Sequence, residues 1–217
     1  MENKRTKSDV LIYLIATLSF IGCALSYFFI DGKIGIHWNS QWQIDNYVDK
    51  KYIFLIGAAP ILILLFHDFI LMKDSGNSSL MKHPVVGNKL RWPLVLMMIV
   101  SSWVSVSTGL SIDINYKMIA PIGFGICFII LGNYLPTVRR NYLVGIRTHL
   151  TMTDNNCWRK SNRFLGYIIA IEGLLMIIAG VVQNKILNRF VVWFLIVGVI
   201  ITMYYSYFIT RREKYLK

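Results

Sequence analysis

Charged residues are scarce in this sequence. Only 16% of its 217 residues are Asp, Glu, Lys or Arg, whereas 55% are hydrophobic and the mean hydropathy is +0.52. In a soluble domain about a quarter of the residues are charged, so this chain has too little polar surface to cover a domain in water. It also lacks the train of short alternating strands that builds a membrane barrel. Because backbone that crosses a bilayer must satisfy its own hydrogen bonds, the predicted fold class is an all-α integral membrane protein.

Cysteines and catalytic motifs are equally sparse. The three cysteines, Cys23, Cys127 and Cys157, show no paired spacing, so neither a disulfide framework nor a zinc site is indicated. The sequence contains no Ser/His/Asp or Cys/His set, no phosphate-binding glycine loop and no His-Glu-x-x-His run. We therefore predict that the chain is not an enzyme and uses no cofactor or metal.

Six apolar segments are present, and each has the length of about 20 residues that a hydrocarbon core of about 30 Å requires. Charged or turn residues bound them, such as Asp31-Gly32-Lys33 and Arg211-Arg212. The sequence therefore predicts a polytopic bundle of six transmembrane helices, the first kept as a signal anchor. The predicted spans are residues 10–30, 52–71, 92–111, 118–135, 164–182 and 190–210.

Lys and Arg are distributed unevenly among the connecting segments. If the N-terminus is inside, 17 of the 23 basic residues fall on the cytoplasmic side and 6 on the outer side, as the positive-inside rule requires. Both termini are therefore predicted to be cytoplasmic, and residues 31–51 to lie outside. Membrane lipids with anionic headgroups can balance the net charge of +12, so direct nucleic-acid binding is not predicted.

The predicted outer loop, between the first two spans, has two interpretations. In the first it is an interfacial loop, with Trp and Tyr at headgroup depth and Lys50-Lys51 as the anchor of the second helix. In the second it is a surface that binds a ligand or partner. The residues that would form this outer surface are His37, Trp38, Asn39 and Asp45.

The predicted inner loop, residues 136–163, combines Gly, Asn, Trp and Arg. Pro136 should end the fourth helix, because Pro cannot continue the hydrogen-bond ladder. The arginines can bind lipid phosphates, helix-terminal carbonyls or a partner's carboxylates. An ordinary basic loop and a functional loop are both compatible with this composition. The candidate functional residues are Gly132, Asn133, Asn141, Gly145, Arg147, Thr148, Trp158 and Arg163.

The spacing of these residues, with Ile146 and Gly166, resembles the signature of the SdpI-type bacteriocin-immunity family. The stretch from His37-Trp38-Asn39 to Asp45 and Lys50 resembles the small module of unknown function that often precedes it. This resemblance implies a divergent member, with a two-helix module at residues 1–71 and a four-helix module at residues 72–217. The departures are His149-Leu150 in place of Pro-Trp, Ser161-Asn162-Arg163 in place of Thr-His-Arg, and Trp42 in place of Gly.

The function that the resemblance implies is self-protection of a bacterium against a secreted antimicrobial peptide or toxin at its cytoplasmic membrane. In some family members a change in the inner loop is thought to sequester a transcriptional repressor, which would couple toxin resistance to signal transduction. The expected partners are therefore membrane lipids, a peptide or protein toxin and a cytoplasmic repressor.

Glu172, near the middle of the fifth predicted span, suggests an alternative function. A carboxyl group at this depth is costly and marks a functional-site hypothesis, here small-solute or ion permeation. It can equally be a protonated Glu that hydrogen-bonds a neighbouring helix, such as the face of the third span with Ser101, Ser105 and Thr108. His67 and Asp68 are placed near the inner end of the second span, where they can reach water.

Glycines recur every seven residues on two predicted spans. Gly125 and Gly132 lie on the fourth span, and the fifth has Gly166, Gly173 and Gly180. Because small residues let helix backbones approach each other closely in lipid, we expect these two helices to be in contact.

Overall fold

In the computed structural model, six helices among the described residues are long and apolar enough to cross a membrane. The structure describes residues 7–39, 41–73, 84–112, 114–141 and 144–215. Four of the 17 basic residues counted on the cytoplasmic side lie outside these ranges: Lys4, Arg5, Lys82 and Lys217. The predicted polytopic helical bundle is confirmed, while the orientation of the termini stays a prediction. The helices are α1 (Lys7–Ser26), α2 (Ile53–Lys73), α3 (Pro84–Gly109), α4 (Tyr116–Tyr134), α5 (His149–Thr153), α6 (Asn155–Val182) and α7 (Lys185–Tyr215).

α6 begins well before its predicted span, at Asn155 rather than at residue 164. The side chain of Asp154 accepts a hydrogen bond of 2.7 Å from the backbone N–H of Cys157, which caps the first turn. Hydropathy finds the apolar part of this helix but not its polar first turns. α4 ends where Pro136 predicted, since a short 3-10 turn, Leu135–Thr137, follows Tyr134.

The connection between α1 and α2 is a β-hairpin, which the sequence analysis did not predict. β1 (Lys33–Trp38) pairs antiparallel with β2 (Ile44–Asp49). Asn39 shapes the turn, because its Oδ1 accepts hydrogen bonds from the backbone N–H groups of Gln41 at 2.8 Å and Gln43 at 3.1 Å. Trp42 has a φ of 57°, in the left-handed region that favours Gly. Trp42 therefore adopts a backbone conformation that Gly takes more readily.

The helices pack in a consistent order through the bundle. α1, α2 and α3 contact one another, α3 also contacts α4, α4 contacts α6, and α6 contacts α7. Below the hairpin, Cys23, Ile30, Ile34, Ile53 and Val106 form a buried apolar cluster. Many large apolar side chains elsewhere on the helices are exposed, including Leu55, Phe69 and Trp193. Such surfaces suit a protein whose outside faces lipid.

α4 and α6 meet backbone to backbone at their glycines, as predicted. A Cβ atom at Gly125 would lie 2.5 Å from the carbonyl oxygen of Gly173. A Cβ atom at Gly132 would lie 2.6 Å from both the carbonyl oxygen of Gly166 and the backbone nitrogen of Ala170. Any larger side chain would therefore push the helices apart.

Candidate functional site

Two buried asparagines hold the described parts of the inner loop, residues 136–141 and 144–163. Asn141 closes the first part: its Nδ2 donates to the carbonyl of Arg139 at 2.7 Å, and its Oδ1 accepts from the N–H of Val144 at 2.8 Å. Asn162, on α6, holds the second part. Its Oδ1 accepts from the N–H of Ile146 at 2.8 Å, and its Nδ2 donates to the carbonyl of Trp158 at 3.0 Å.

Gly145 and Trp158 complete this arrangement. Gly145 has a φ of 119°, and a Cβ atom there would collide with Oδ1 of Asn162, so both the backbone shape and the space require Gly. Trp158 is buried, and its indole N–H donates to the carbonyl of Val138 at 2.9 Å. The loop is therefore tied to α6 at two points, Val138 and the Gly145-Ile146 turn.

Thr148 begins the short helix α5 and fixes the end of the loop. Its side chain accepts from the N–H of Thr151, and the Thr151 side chain accepts in return from the N–H of Thr148 at 2.9 Å. This reciprocal capping box satisfies two N–H groups at the helix start. Thr151 also donates to the carbonyl of Ile146 at 2.8 Å, which links α5 to the Gly145-Ile146 turn.

The residues that fix the loop backbone form its frame: Asn141, Gly145, Thr148, Trp158 and Asn162. The loop presents guanidinium groups on this frame. Arg147 and Arg163 are exposed. Nε of Arg163 donates to the hydroxyl of Tyr167 at 3.0 Å, and the guanidinium lies 5.9 Å from the centre of the Tyr167 ring. Arg140 serves the frame instead, since its Nη1 donates to the carbonyl of Met152 at 2.9 Å.

The structure assigns different positions to the eight predicted loop residues. Asn141, Gly145, Thr148 and Trp158 belong to the frame, whereas Arg147 and Arg163 are displayed by it. Gly132 lies in the α4–α6 contact, and Asn133 is exposed on α4. Asn162, treated above only as a departure, is the frame residue that sequence reasoning missed. Its separation of four residues from Trp158 was the available signal, because such residues share one helix face.

A second region is a cavity of about 640 Å³ beneath the hairpin. Trp38 and Trp42 contribute from the hairpin, Leu55 from α2, Ser105 from α3 and Phe124 from α4. The Trp42 and Phe124 rings stack, with centroids 6.2 Å apart and an angle of 19° between their planes. The hairpin thus covers a space among three membrane helices.

The hairpin gives the four predicted outer residues different positions. Trp38 lines the cavity and Asn39 holds the turn. Nδ1 of His37 lies 2.5 Å from Oδ1 of Asp45, and both side chains are exposed. Only His37 and Trp38 of the four line the cavity.

A third region is a buried ionic cluster among α1, α2 and α3. Nη1 of Arg91 lies 3.1 Å from Oδ1 of Asp9, and its Nη2 lies 2.9 Å from Oδ1 of Asp68. Nε of Arg91 donates to Nδ1 of His67 at 3.1 Å, and the hydroxyl of Tyr13 donates to Oδ2 of Asp68 at 2.7 Å.

This cluster corrects the interpretation that His67 reaches water, because His67 is 5% exposed and accepts a hydrogen bond from Arg91. Asp68 also contacts Arg91, while 26% of its side chain stays exposed. The physical reason is that three helix ends converge there, so that a buried cation is within reach of both side chains. The sequence placed Arg91 in a basic loop and Asp9 in no site at all.

Glu172 is buried in α6 beside the α4–α6 contact. Its Oε2 has no hydrogen-bond partner within the described parts of the chain. The suggested partner face on α3 is turned elsewhere: Thr108 Oγ1 accepts from the N–H of Gly35 in β1 at 2.7 Å, and Ser101 and Ser105 line the cavity. The structure therefore gives this Oε2 no hydrogen bond to the third helix.

The chain is similar to known proteins in two comparisons. The model of the SdpI/YfhL protein family matches residues 137–209, from the inner loop into α7. The chain is therefore a multi-pass bacterial membrane protein, and its C-terminal part is similar to this family. Immunity protein SdpI of Bacillus subtilis (strain 168) is 22% identical to it over 201 residues, which cover 93% of this chain and 95% of that protein. No solved structure matches the chain.

Proposed function

We propose that this chain is a membrane immunity protein, which protects the bacterium that makes it from a secreted antimicrobial peptide or toxin. The observation that carries the proposal is the extent of the similarity to Immunity protein SdpI. It covers 93% of this chain and 95% of the relative, so it is not confined to the segment that the family model matches. The outer hairpin and cavity would meet the toxin, and the inner loop would lie on the cytoplasmic side.

The inner loop supports the finer proposal that a cytoplasmic repressor is held at the membrane. Frame residues fix the backbone on both sides of Arg147, so its guanidinium is displayed from an ordered turn. A planar guanidinium can bind a carboxylate in a bidentate manner, whereas the ammonium of Lys cannot. α6 joins this loop to the opposite membrane face as one helix, Asn155–Val182. A shift of α6 on toxin binding would therefore reach the loop.

Permeation through Glu172 is less well supported. The adjacent Gly173 packs its backbone against Gly125 of α4, which fills the space on that side of the helix. A solute path along α4 and α6 would need this backbone contact to open. The close contact therefore favours immunity over permeation.

Expression in a sensitive bacterium tests the proposed function directly. Cells that carry the full chain and cells that carry an empty vector would be challenged with peptide toxin from the strain that encodes it. We expect survival only with the chain, at a membrane abundance verified by immunoblot. Equal killing of both cultures, with the protein present in the membrane, would contradict the proposal.

Arginine geometry in the inner loop is tested by Arg147→Lys and Arg163→Lys. We expect each variant to reduce protection or repressor retention without changing membrane abundance, because Lys keeps the charge and loses the bidentate contact. Arg159→Lys is the matched control, since Arg159 is also exposed and holds only the Asn156 side chain in the described contacts. If all three variants behave like the parent chain, the loop acts only as a charged anchor.

A further inference from the structure

One face of α6 is cationic at its start and apolar along the rest of its length. The helix uses two other faces for contacts, since its glycines meet α4 and Ile168 lies against Gly198 of α7. The remaining face is exposed, and its residues follow one another at intervals of three or four, which places them in one stripe along the helix. In chain order they are Arg159, Arg163, Tyr167, Ile171, Leu174 and Ile178.

The length of the stripe places Arg163 at the membrane surface. Between Arg163 and Val182, where α6 ends, the helix rises about 28 Å at roughly 1.5 Å per residue. This rise is close to the hydrocarbon thickness of about 30 Å. Tyr167, one turn further along, has the residue type that is enriched at headgroup level. Arg163 therefore lies at the depth of the lipid headgroups, and Arg159 lies one turn further from the hydrocarbon.

The guanidinium of Arg163 is oriented and still has donors to offer. Its Nε donates to the hydroxyl of Tyr167 at 3.0 Å, and the group lies 5.9 Å from the centre of that ring. Neither Nη atom hydrogen-bonds or pairs with another residue in the described ranges. Two parallel N–H groups of one guanidinium match two oxygens of a phosphate. The stripe therefore combines a phosphate-binding group with an apolar track.

The surrounding charge selects among phospholipids. Arg159, Lys160 and Arg163 all belong to the first nine residues of α6, whereas the only acid in this helix, Glu172, is buried further along. A zwitterionic lipid would bring the ammonium of its headgroup close to Arg159, where like charges repel. Phosphatidylglycerol has the same phosphate and no headgroup cation. Charge complementarity therefore favours an anionic lipid.

We propose that Arg163 and Tyr167 bind the phosphate of an anionic phospholipid, whose acyl chain lies along Ile171 and Leu174. A free phosphate or an acidic peptide would satisfy the guanidinium but leave the apolar stripe uncovered. The bound lipid holds the start of α6 at the membrane surface, next to the frame residue Asn162, and so fixes the depth of the inner loop. This lipid site does not depend on the proposed immunity function.

Native mass spectrometry of the detergent-solubilised chain tests the ligand class. The chain would be titrated with phosphatidylglycerol and, separately, with phosphatidylethanolamine of the same acyl chains. Glycerol phosphate and a short poly-Glu peptide would be added as competitors at equal concentration. We expect phosphatidylglycerol to bind about fivefold more tightly than phosphatidylethanolamine, the scale of one basic residue near a headgroup, and neither soluble anion to displace it. Equal binding of the two lipids, or displacement by either competitor, would overturn the proposal.

Substitutions on α6 separate a site from diffuse positive charge. Arg163→Gln should weaken phosphatidylglycerol binding at least about tenfold, because charge-assisted hydrogen bonds are lost. Arg159→Gln is the matched control: it removes the same charge one turn away, so it should narrow the preference between the two lipids and weaken phosphatidylglycerol binding much less. Arg163→Lys keeps the charge and loses the bidentate contact, so it should weaken binding too. The unfolding midpoint of each variant would be checked against the parent chain. Equal weakening by Arg163→Gln and Arg159→Gln, or unchanged binding in Arg163→Lys, would refute the site.

Discussion

The helices within each half of the bundle are held together by a different kind of contact. α1, α2 and α3 are linked by side chains that hydrogen-bond or pair across helices: the Arg91 cluster, Ser102 to the carbonyl of Ile56 at 2.8 Å, and Trp103 to Ser19 at 3.0 Å. α4 and α6 instead meet through glycine backbone. In lipid both solutions replace the hydrophobic drive that water would supply. The stability of the first half should therefore depend on side-chain charge, and that of the second half on side-chain volume.

The largest effect is expected from Arg91→Met. The substitution keeps a long side chain but leaves Asp9 and Asp68 without their buried cation. Breaking a buried pair in this way costs about 3–5 kcal/mol, so we expect a marked fall in the thermal unfolding midpoint in detergent. Arg189→Met, at an exposed position on α7, is the control. If the two variants have the same unfolding midpoint, the ionic cluster does not stabilise the packing of the first three helices.

Gly132→Ala tests the second half and should cost less. The new Cβ would meet the backbone of Gly166 and Ala170 at 2.6 Å, which cannot move aside without separating α4 from α6. We expect a loss of about 3 kcal/mol, the upper end of the usual overpacking cost. Gly123→Ala is the control on the same helix, because its Cβ would meet only the Val100 side chain, at 3.1 Å. Equal unfolding midpoints would argue against backbone contact.

Asn162→Ala should have an intermediate effect, confined to the inner loop. It removes the acceptor for the N–H of Ile146 and the donor to the carbonyl of Trp158, at about 1 kcal/mol for each hydrogen bond. Limited proteolysis should then cut the loop near Gly145 faster than in the parent chain. Asn133→Ala, at an exposed position, should leave the cleavage rate unchanged. Similar rates in both variants would show that Asn162 is not a frame residue.

Glu172→Gln should be nearly silent, which makes it the sharpest test of the two functions. Gln has the same shape and cannot titrate, so a packing role survives the change while a proton- or cation-coupled role does not. Glu172→Leu removes a buried Oε2 that has no hydrogen-bond partner in the described structure, so it should not weaken the bundle, because a buried polar group without a hydrogen bond costs free energy. Abundance, unfolding midpoint and protection would be measured together. Loss of activity in a stable Glu172→Gln protein would favour permeation.

The second half was more readable from sequence than the first. Heptad spacing of glycines predicted the α4–α6 contact, because one helix period determines which residues share a face. The ionic cluster could not be found in this way, since Asp9 and Arg91 are 82 positions apart and only the packing of three helices unites them. β2 was missed because its residues show no buried alternation. The residue types in the inner loop predicted most of its frame residues. Asn162 was missed because the start of α6 is polar.

The ionic cluster has a consequence for how the chain is made. Asp9 is synthesised near the beginning, Asp68 follows in α2, and their shared cation at Arg91 emerges only with α3. Until then, neither carboxylate has this cation, and docking of α1 on α2 would bury Asp9 without it and give Asp68 only the hydroxyl of Tyr13. The first two helices are therefore expected to stay apart, or near the insertion machinery, until the third arrives. A single arginine would thus time the assembly of the first half of the bundle.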